Sequence, residues 1–313
     1  MSVPYRNLRR NSALVSLIFL LLLAVVACTS STPAATSAST SPQLSAGSDT
    51  QTLSITLLDV GDGDAILIMT SQGHAALIDG GPRKTQVRDT LKERGIKRLD
   101  LVVNTHPHAD HLTGLPAVLD EFPVGQMIDS GTVHYSKTYE SYLATIGQRG
   151  IPLVTPRDIA RFRLGPVRLD VLRPSVYFAS ERSGASPVND STPVIEISYG
   201  AFSALLTGDA TAATELQLVA RGWLSPVTLL KVAHHGSDTS TSQPFLDVVK
   251  PQIAVISVGK GSNGLPSDAV LGRLEECGAT VYRTNLHGNV TVITDGHTWK
   301  VTTERQPEGC PDA

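Results

Sequence analysis

The stretch VVNTHPHADHLTG, residues 102–114, concentrates side chains that bind metal ions. His106 and His108 lie two positions apart, so an extended loop aims both imidazoles to one side, while Asp110 and His111 follow a turn and can aim at a neighbouring point. Imidazole and carboxylate ligands without thiolate suit zinc first, and also manganese or iron. The loop therefore predicts a site for two divalent metal ions that lie side by side.

Further ligand candidates stand where two later apolar runs stop. Asp209 ends ALLTGDA, and His234 and His235 follow LLKVA in LLKVAHHGS. Successive residues at a strand end point opposite ways, so one histidine of this pair is expected to coordinate and the other to contact substrate or a ligand. Polar ligands at repeated strand ends predict a site on the rim of a sheet sandwich.

The elements that must position these groups follow from the apolar pattern. Short apolar or alternating runs separated by Gly, Asp and Pro predict strands, and longer amphipathic runs predict helices. The predicted strands include Leu53–Asp59, Ala65–Met69, Ala75–Asp79, Leu99–Val103, Val227–Val232, Ile253–Val258, Thr280–Arg283, Val290–Thr294 and Trp299–Thr302, with β-rich segments at Phe162–Leu172 and Val194–Leu206. The predicted helices are Lys84–Gly95, Leu115–Glu121, Tyr139–Gln148, Ala212–Ala220, Pro244–Val249 and Ala269–Cys277. This mixture predicts one α+β domain with helices outside the sheets.

Composition limits the classes of function. The 313 residues are 41% hydrophobic and carry a formal net charge of −3, with a sequence pI near 6.3. No overall basic field favours tight non-specific binding of nucleic acid.

Four motifs in order resemble those of metallo-β-lactamase-fold hydrolases: LIDGG with Asp79, THPHADH, LLTGD and HHGS. The likeness covers about residues 51–303 and implies a four-layer αββα sandwich. The stretches LLDVGDGDAILI, LKVAHHGSDTS and VYRTNLHGNVTV resemble, more narrowly, the extracytoplasmic hydrolase domain of the ComEC/Rec2 DNA-uptake family. Full-length members of that family have many membrane spans, so this chain resembles a stand-alone relative of the domain.

The resemblance implies a role for each ligand candidate. The first metal takes His106 and His108, the second takes Asp110, His111 and one of His234 and His235, Asp209 bridges the two, and Asp79 orients the loop from behind. Asp110, His235 and Lys231 are the expected catalytic groups. Asp110 would accept a proton from the attacking water, and Lys231 would neutralise a phosphate unless it is an exposed charge on a strand edge.

Two departures from the family pattern affect the expected site. Most two-metal members supply it with one more histidine, whereas this chain has VNDSTPVIEI, so Asn189, Asp190 or Ser191 is expected to stand in unless the metal is weakly held. Relatives also tend to have His-Pro where this chain has Leu265 before proline, and a catalytic or substrate-binding histidine is then absent.

The resemblance implies metal-assisted hydrolysis, and the ComEC-like stretches favour a phosphodiester such as extracellular DNA or a phosphorylated polymer. Ser237, Thr239 and Ser240 either donate to a phosphate or cap the next helix. A surface-binding or scaffold module with a degraded metal site is the alternative function, and a lactam or lactone hydrolase is a third.

The N-terminus predicts export. Three arginines precede the apolar stretch ALVSLIFLLLLAVVA, and the following cysteine, Cys28, completes VVAC, which resembles the lipobox of bacterial lipoproteins. An ordinary cleaved signal or an uncleaved anchor is the alternative. We therefore expect a signal peptide over 1–27, a Ser/Thr/Pro/Ala-rich tether over 28–50, the hydrolase domain over 51–305 and a tail over 306–313, with a lipid anchor at the outer face of the cytoplasmic membrane or in the cell envelope.

Two further cysteines remain, Cys277 and Cys310. In an exported protein they are expected to form a disulfide, and the alternative is two unpaired thiols.

Overall fold

Alternating apolar residues give the strands two buried faces. The computed structural model describes residues 51–173, 187–262 and 264–306, and every element named below lies there. The strands are β1 Leu53–Leu57, β2 Ile66–Thr70, β3 Ala75–Ile78, β4 Leu99–Asn104, β5 Val124–Asp129, β6 Leu153–Val154, β7 Asp158–Leu164, β8 Val167–Arg173, β9 Val194–Tyr199, β10 Phe202–Leu206, β11 Leu229–Lys231, β12 Ile253–Ile256, β13 Thr280–Arg283, β14 Val290–Thr294 and β15 Trp299–Thr303. The helices are α1 Gln86–Glu93, α2 Ala109–Leu112, α3 Leu115–Glu121, α4 Lys137–Arg149, α5 Pro187–Asp190, α6 Ala212–Ala220, α7 Gln243–Val249, α8 Asp268–Glu276 and α9 Thr284–His287, and a 3₁₀ turn spans Ala233–Gly236.

The strands form two mixed sheets. The first has the order β15-β14-β1-β2-β3-β4-β5-β6 and the second β13-β12-β11-β10-β9-β8-β7. Neighbouring strands are parallel from β3 to β6 in the first sheet and from β10 to β13 in the second, and antiparallel elsewhere. Because parallel strands end at the same edge of a sheet, the residues that follow β3 and β4 lie together, as do those that follow β10, β11 and β12.

Three hydrophobic clusters separate four layers. Along β2, Ile66 and Ile68 face the cluster between the two sheets, while Leu67 faces the outer cluster under the helices. The same alternation on β9 sends Ile195 inward and Val194 outward. These side chains are fully buried, and each contributes about 1.5–3 kcal/mol of transfer free energy. The predicted four-layer αββα sandwich is confirmed.

Helices cover the outer face of each sheet. α1, α3 and α4 place Leu91, Val118 and Tyr142 on the first sheet. α6, α7 and α8 contribute Leu218, Phe245 and Leu274 to the cluster over the second sheet. All six of these helices were predicted, and the bounds of α3 and α6 agree with the sequence pattern.

The pattern does not predict β5, although this strand lies between β4 and β6. Gly125 and Gln126 interrupt its apolar run, and only Met127 and Ile128 are buried apolar residues. Its strand conformation depends on pairing with β4, where Val103 lies opposite Ile128. Partner strands thus impose a structure that the local residues leave open.

In the part of the chain that the structure describes, no helix has both the length and the apolar character needed to cross a bilayer. The predicted signal peptide, Cys28, the tether and Cys310 lie outside the described residues. Cys277 follows α8, and its thiol lies 3.1 Å from the Leu274 carbonyl. Because Cys310 lies outside the described residues, the disulfide between the two cysteines stays a prediction.

Candidate metal centre

The histidine-rich loop continues directly from β4. His108 has an extended backbone and is the N-cap residue of the short helix α2. His106 Nε2 lies 3.1 Å from His108 Nδ1, so both imidazoles face one side as the spacing predicts. Asp110 and His111 belong to α2 and face a neighbouring point.

Asp79 fixes this loop through hydrogen bonds. It follows β3, is fully buried, and adopts a left-handed backbone with a φ of 60°. Its carboxylate accepts hydrogen bonds from the backbone N–H of Thr105 at 2.8 Å, from the Thr105 hydroxyl at 2.7 Å and from His111 Nδ1 at 2.8 Å. Since Nδ1 donates to Asp79, Nε2 of His111 is directed away from Asp79 and is available as a ligand atom.

Four ligand atoms of Asp110, His111, Asp209 and His235 form what we call the second cluster. His111 Nε2 lies 3.4 Å from Asp110 Oδ2 and 3.3 Å from Asp209 Oδ1. His235 Nε2 lies 3.3 Å from Asp110 Oδ2 and 3.4 Å from Asp209 Oδ1. A tetrahedral ion with bonds of about 2.1 Å separates its ligand atoms by about 3.4 Å. The spacing of the second cluster therefore fits a divalent metal.

Three atoms of the second cluster are buried without a hydrogen-bond partner: His111 Nε2, Asp209 Oδ1 and His235 Nε2. A buried polar atom of this kind is costly unless another group or an ion satisfies it. The three atoms converge on one point, so a metal ion satisfies all of them at once.

The first cluster faces the other oxygen of Asp209. It comprises His106, His108 and Asp209, with His106 Nε2 3.6 Å from Asp209 Oδ2. His234 Nε2 lies 3.8 Å from the same oxygen. The carboxylate of Asp209 thus has one oxygen toward each cluster, in the position of a bridging ligand.

The histidine pair does not lie on a strand end. It lies in the 3₁₀ turn after β11, and His234 and His235 both have left-handed φ angles, 49° and 54°. The strand-end premise is therefore wrong, and both rings face Asp209: His235 faces Oδ1 and His234 faces Oδ2. The expectation that only one of the two coordinates a metal stays a prediction.

Both histidines of this pair are held through Nδ1. His235 Nδ1 is 2.9 Å from the Ser257 carbonyl, and His234 Nδ1 is 3.1 Å from the Thr239 hydroxyl. Ser242, and none of Ser237, Thr239 and Ser240, is the N-cap residue of α7, so the helix-cap alternative for these three is wrong.

The segment without a third histidine brings one side chain to the first cluster. Asn189 Nδ2 lies 3.3 Å from His234 Nε2, and Asn189 Oδ1 is buried without a hydrogen-bond partner. Asp190 accepts a hydrogen bond from the Thr211 hydroxyl. The Ser191 hydroxyl donates to the Val188 carbonyl and contacts Thr132, each at 2.6 Å. Of the three predicted substitutes, only Asn189 faces the site histidines.

Lys231 is fully buried, so the alternative of an exposed edge charge is wrong. Its Nζ forms an ion pair with Asp64 and donates to the Gly208 carbonyl at 2.8 Å. The ammonium is thereby enclosed and has no exposed surface to offer a substrate phosphate. Asp64, Asp79 and His111 also form a group of possible ligands, but Lys231 already supplies a cation to Asp64.

Electrostatics differ between the clusters. Burial lowers the pKa of His111 and of His235, but Asp209 and Asp110 outweigh it and raise both above the ordinary value. Burial raises the pKa of Asp110 and of Asp209, but His111 and His235 outweigh it and hold both well below the usual range. In the metal-free second cluster, the carboxylates therefore favour the charged form of the imidazoles, and the imidazoles favour the ionised form of the carboxylates.

At the two histidines of the first cluster, and at His234 beside it, the burial effect prevails. It lowers the pKa of His106, of His108 and of His234, most strongly for His106, which is fully enclosed. These imidazoles are neutral at neutral pH and have a free nitrogen for a metal without losing a proton.

Sequence reasoning misses two residues near the centre. Asp64 pairs with Lys231 and lies 3.8 Å from His235 Nδ1, and its signal was the motif GDGD, interpreted only as a turn. The ring centroid of His134 lies 6.3 Å from that of His108, and this isolated histidine in the loop between β5 and α4 has no comparable signal.

Comparisons with known proteins agree with this geometry. A family model described as the metallo-beta-lactamase superfamily matches residues 58–260. Recombination protein 2 of Haemophilus influenzae is 30% identical over 250 residues, 77% of this chain and 29% of that protein. Competence protein ComA of Neisseria gonorrhoeae is 31% identical over 241 residues, 75% of this chain and 31% of that protein. The chain thus spans about three tenths of the length of these relatives.

Among solved structures, the metallo-beta-lactamase fold protein YhfI from Bacillus subtilis has a TM-score of 0.50 and 11% identity, covering 74% of this chain and 95% of that one. That likeness concerns the fold alone.

Proposed function

The chain belongs to the metallo-beta-lactamase superfamily, and we propose that it is a two-metal hydrolase of phosphodiester bonds, with DNA as the leading substrate class. The observation that supports two metals is the bridging placement of Asp209, whose two oxygens face two separate clusters. Zinc is the expected metal because the donors are imidazole nitrogens and carboxylate oxygens, and manganese is the second option. Two such cations supply Lewis acidity to a phosphoryl oxygen and to the attacking water.

The exposed members of the centre define where substrate enters. His106, His111 and Asp209 are buried, whereas about a third of the Asp110 side chain is exposed and His108 is partly exposed. Substrate therefore approaches over His108 and Asp110. The carboxylate of Asp110 is placed to accept a hydrogen bond from the attacking water and to orient it.

The buried residues maintain this geometry. Asp79 fixes the ring of His111, and the Ser257 carbonyl fixes the ring of His235. Lys231 acts through Asp64 and not on substrate, because its ammonium is buried beside that carboxylate. Preorganised ligands lower the cost of assembling the site at each turnover.

Support for a phosphodiester substrate comes from the relatives. Their names refer to recombination and competence, and recombination acts on DNA. The substrate class therefore rests on relatedness, whereas the two-metal centre rests on geometry.

The decisive experiment measures metal content and hydrolysis of bis(p-nitrophenyl) phosphate with the full chain. We expect about two metals per chain, with turnover lost in His108→Ala and in Asp209→Ala. His297→Ala is the matched control, because His297 is exposed, its backbone N–H donates to Asp295, and its ring has no hydrogen-bond partner among the residues that the structure describes. Two bound metals with no turnover of this phosphodiester would reject the proposed activity.

The longer distances on the Oδ2 side of Asp209, 3.6 Å to His106 and 3.8 Å to His234, are the observation that favours the alternative, a surface-binding or scaffold module. That function predicts one metal or none, and no turnover after zinc or manganese is added. The same metal measurement therefore separates the two functions.

We also propose export and lipid anchoring at Cys28. The support is the charged and apolar N-terminal sequence that ends in VVAC. Incorporation of labelled palmitate into the full chain, and its loss in Cys28→Ala, tests this anchor.

A further inference from the structure

A pocket of about 520 Å³ opens beside the second cluster. Three loops line it: residues 59–62, residues 82–86 and residues 259–260, together with Arg305. Its volume falls in the range of about 300–1,000 Å³ that small-molecule sites occupy. None of its lining residues belongs to either metal cluster.

Each of the three loops also contains, or continues to, a residue that hydrogen-bonds to a residue of the second cluster. The first continues to Asp64, whose N–H donates to the Asp110 carbonyl at 3.3 Å. The second begins at Asp79, which orients His111, and the third begins at Ser257, whose carbonyl orients His235. The pocket therefore shares its walls with the side of the centre that holds Asp110.

Gly63 shows how close the two sites are. A Cβ atom at this residue would lie 2.2 Å from the Asp110 carbonyl oxygen and 3.0 Å from Pro82 of the pocket wall. Only a glycine allows the loop to pass between Asp110 and Pro82, so a single stretch of loop backbone separates the pocket from Asp110.

The charges of the pocket are not balanced. Asp59 pairs with Arg305 at 2.7 Å, and Asp62 accepts hydrogen bonds from the Gly259 N–H at 2.9 Å and from the Ser262 hydroxyl. The side chains of Arg83 and Lys260 are exposed and have no ion-pair or hydrogen-bond partner among residues 51–173, 187–262 and 264–306. Both carboxylates accept hydrogen bonds within the protein, and the three cations of the pocket exceed its two carboxylates by one charge. The side chains of Arg83 and Lys260 are therefore the ones available to an anion.

We propose that Arg83 and Lys260 bind a backbone phosphate of a nucleic-acid strand, flanking the phosphodiester that is hydrolysed at the metal centre. This inference rests on the proposed function, because it takes the reacting phosphate to lie over Asp110. A substrate with one phosphate fills the metal centre alone, whereas a strand continues into the pocket. The pocket therefore gives the protein a preference for polymeric over small phosphodiesters.

The test compares two substrates in the Arg83→Ala/Lys260→Ala double variant of the full chain. We expect kcat/KM for a single-stranded oligonucleotide to fall about tenfold or more, while kcat/KM for bis(p-nitrophenyl) phosphate stays within about twofold. Fluorescence anisotropy with a labelled, hydrolysis-resistant phosphorothioate strand measures binding separately. Removing the contacts to this one phosphate should reduce the slope of log K against log salt by about 0.7 in magnitude.

The matched control is Arg94→Ala/Lys97→Ala, which removes the same charge between α1 and β4, at the opposite end of β4 from His106. An unchanged oligonucleotide affinity in the pocket variant would overturn the proposal, and so would an equal loss in the control variant, since overall charge would then explain it. If the unsubstituted chain fails to hydrolyse bis(p-nitrophenyl) phosphate, the proposed function fails, and the anisotropy measurement still decides whether the pocket binds a strand.

Discussion

The candidate ligand atoms on the two sides of the Asp209 carboxylate differ in their distances from it. Toward Oδ1, the nitrogens of His111 and His235 stand 3.3–3.4 Å from this oxygen and from Asp110, close to tetrahedral spacing. Toward Oδ2, the nitrogens of His106 and His234 stand at 3.6 and 3.8 Å. The second cluster has the spacing of a tetrahedral metal site. In the first cluster the His106 and His108 nitrogens are 3.1 Å apart, and the Asp209 carboxylate lies farther from His106.

The difference follows from what holds each side chain. His111 and His235 are buried and hydrogen-bond through Nδ1 to a carboxylate and a carbonyl that are fixed by the strand ends. His108 and His234 are partly exposed, and the partner of His234 Nδ1 is a threonine hydroxyl, which can rotate. We therefore expect the second cluster to bind its metal more tightly, and the first to adjust when substrate enters.

The largest effect is expected at the residue shared by both sides. Asp209→Asn keeps the size of the side chain but removes its charge and one of its two oxygen ligands, so we expect less than one metal per chain and a loss of activity of about 10³-fold or more. Metal analysis and kcat measure both. Asp170→Asn is the control, because this buried aspartate of β8 pairs with Arg161 and Arg168. Two retained metals would show that Asp209 does not bridge.

The histidine pair offers a direct comparison of the two sides. His235→Ala should remove one metal and about 100-fold or more of the activity, because it opens the tetrahedral cluster. His234→Ala should lose only about tenfold, with recovery when zinc is added, because the first cluster keeps His106 and His108. Metal titration of both variants, with kcat at each step, gives the answer. Equal losses without recovery would mean that the two clusters are not different.

Replacing a residue that orients one ligand histidine should weaken metal binding at one cluster only. Asp79→Asn weakens the hold on His111, and we expect affinity for one of the two metals to fall by about 10- to 100-fold while the other is unchanged. Competition with a chelator of known affinity measures both constants. The control is Asp129→Asn, a buried carboxylate on β5 that pairs with Asn104 and Tyr142. A similar loss at both metals would show that the supports are shared.

The smallest expected effect is the pH dependence of metal affinity, which arises from protons released on binding. Carboxylates raise the pKa of His111 and of His235, which favours the charged rings in the metal-free chain, and each charged ring must release a proton to bind a metal. Burial lowers the pKa of His106 and of His108, which favours neutral rings that release none. Affinity at the second cluster should therefore fall as pH falls, by about threefold per released proton from pH 7.5 to 7.0. Calorimetry in buffers of different ionisation heat counts these protons. Equal release at both metals would contradict the assignment.

The local sequence pattern predicted most of the helices and strands, and it failed where distant residues decide the structure. The helices Leu115–Glu121 and Ala212–Ala220 have the predicted bounds, because an amphipathic run is a property of neighbouring residues. The strand Val124–Asp129 was missed because its partners, not its residues, stabilise it. The role of Lys231 was misjudged because nothing near it in the sequence points to Asp64.

The sequence alone indicated which residues are candidate ligands and that they follow strands, since residue type, short spacing and apolar runs are all local. It did not determine how the ligands are shared. Asp79 and His111 are 32 positions apart and meet because β3 and β4 are parallel and end at one edge. The tertiary structure decided that His235 faces one oxygen of Asp209 and His234 the other, because the direction of a ring in a left-handed turn depends on the backbone angles and on the strands packed around it.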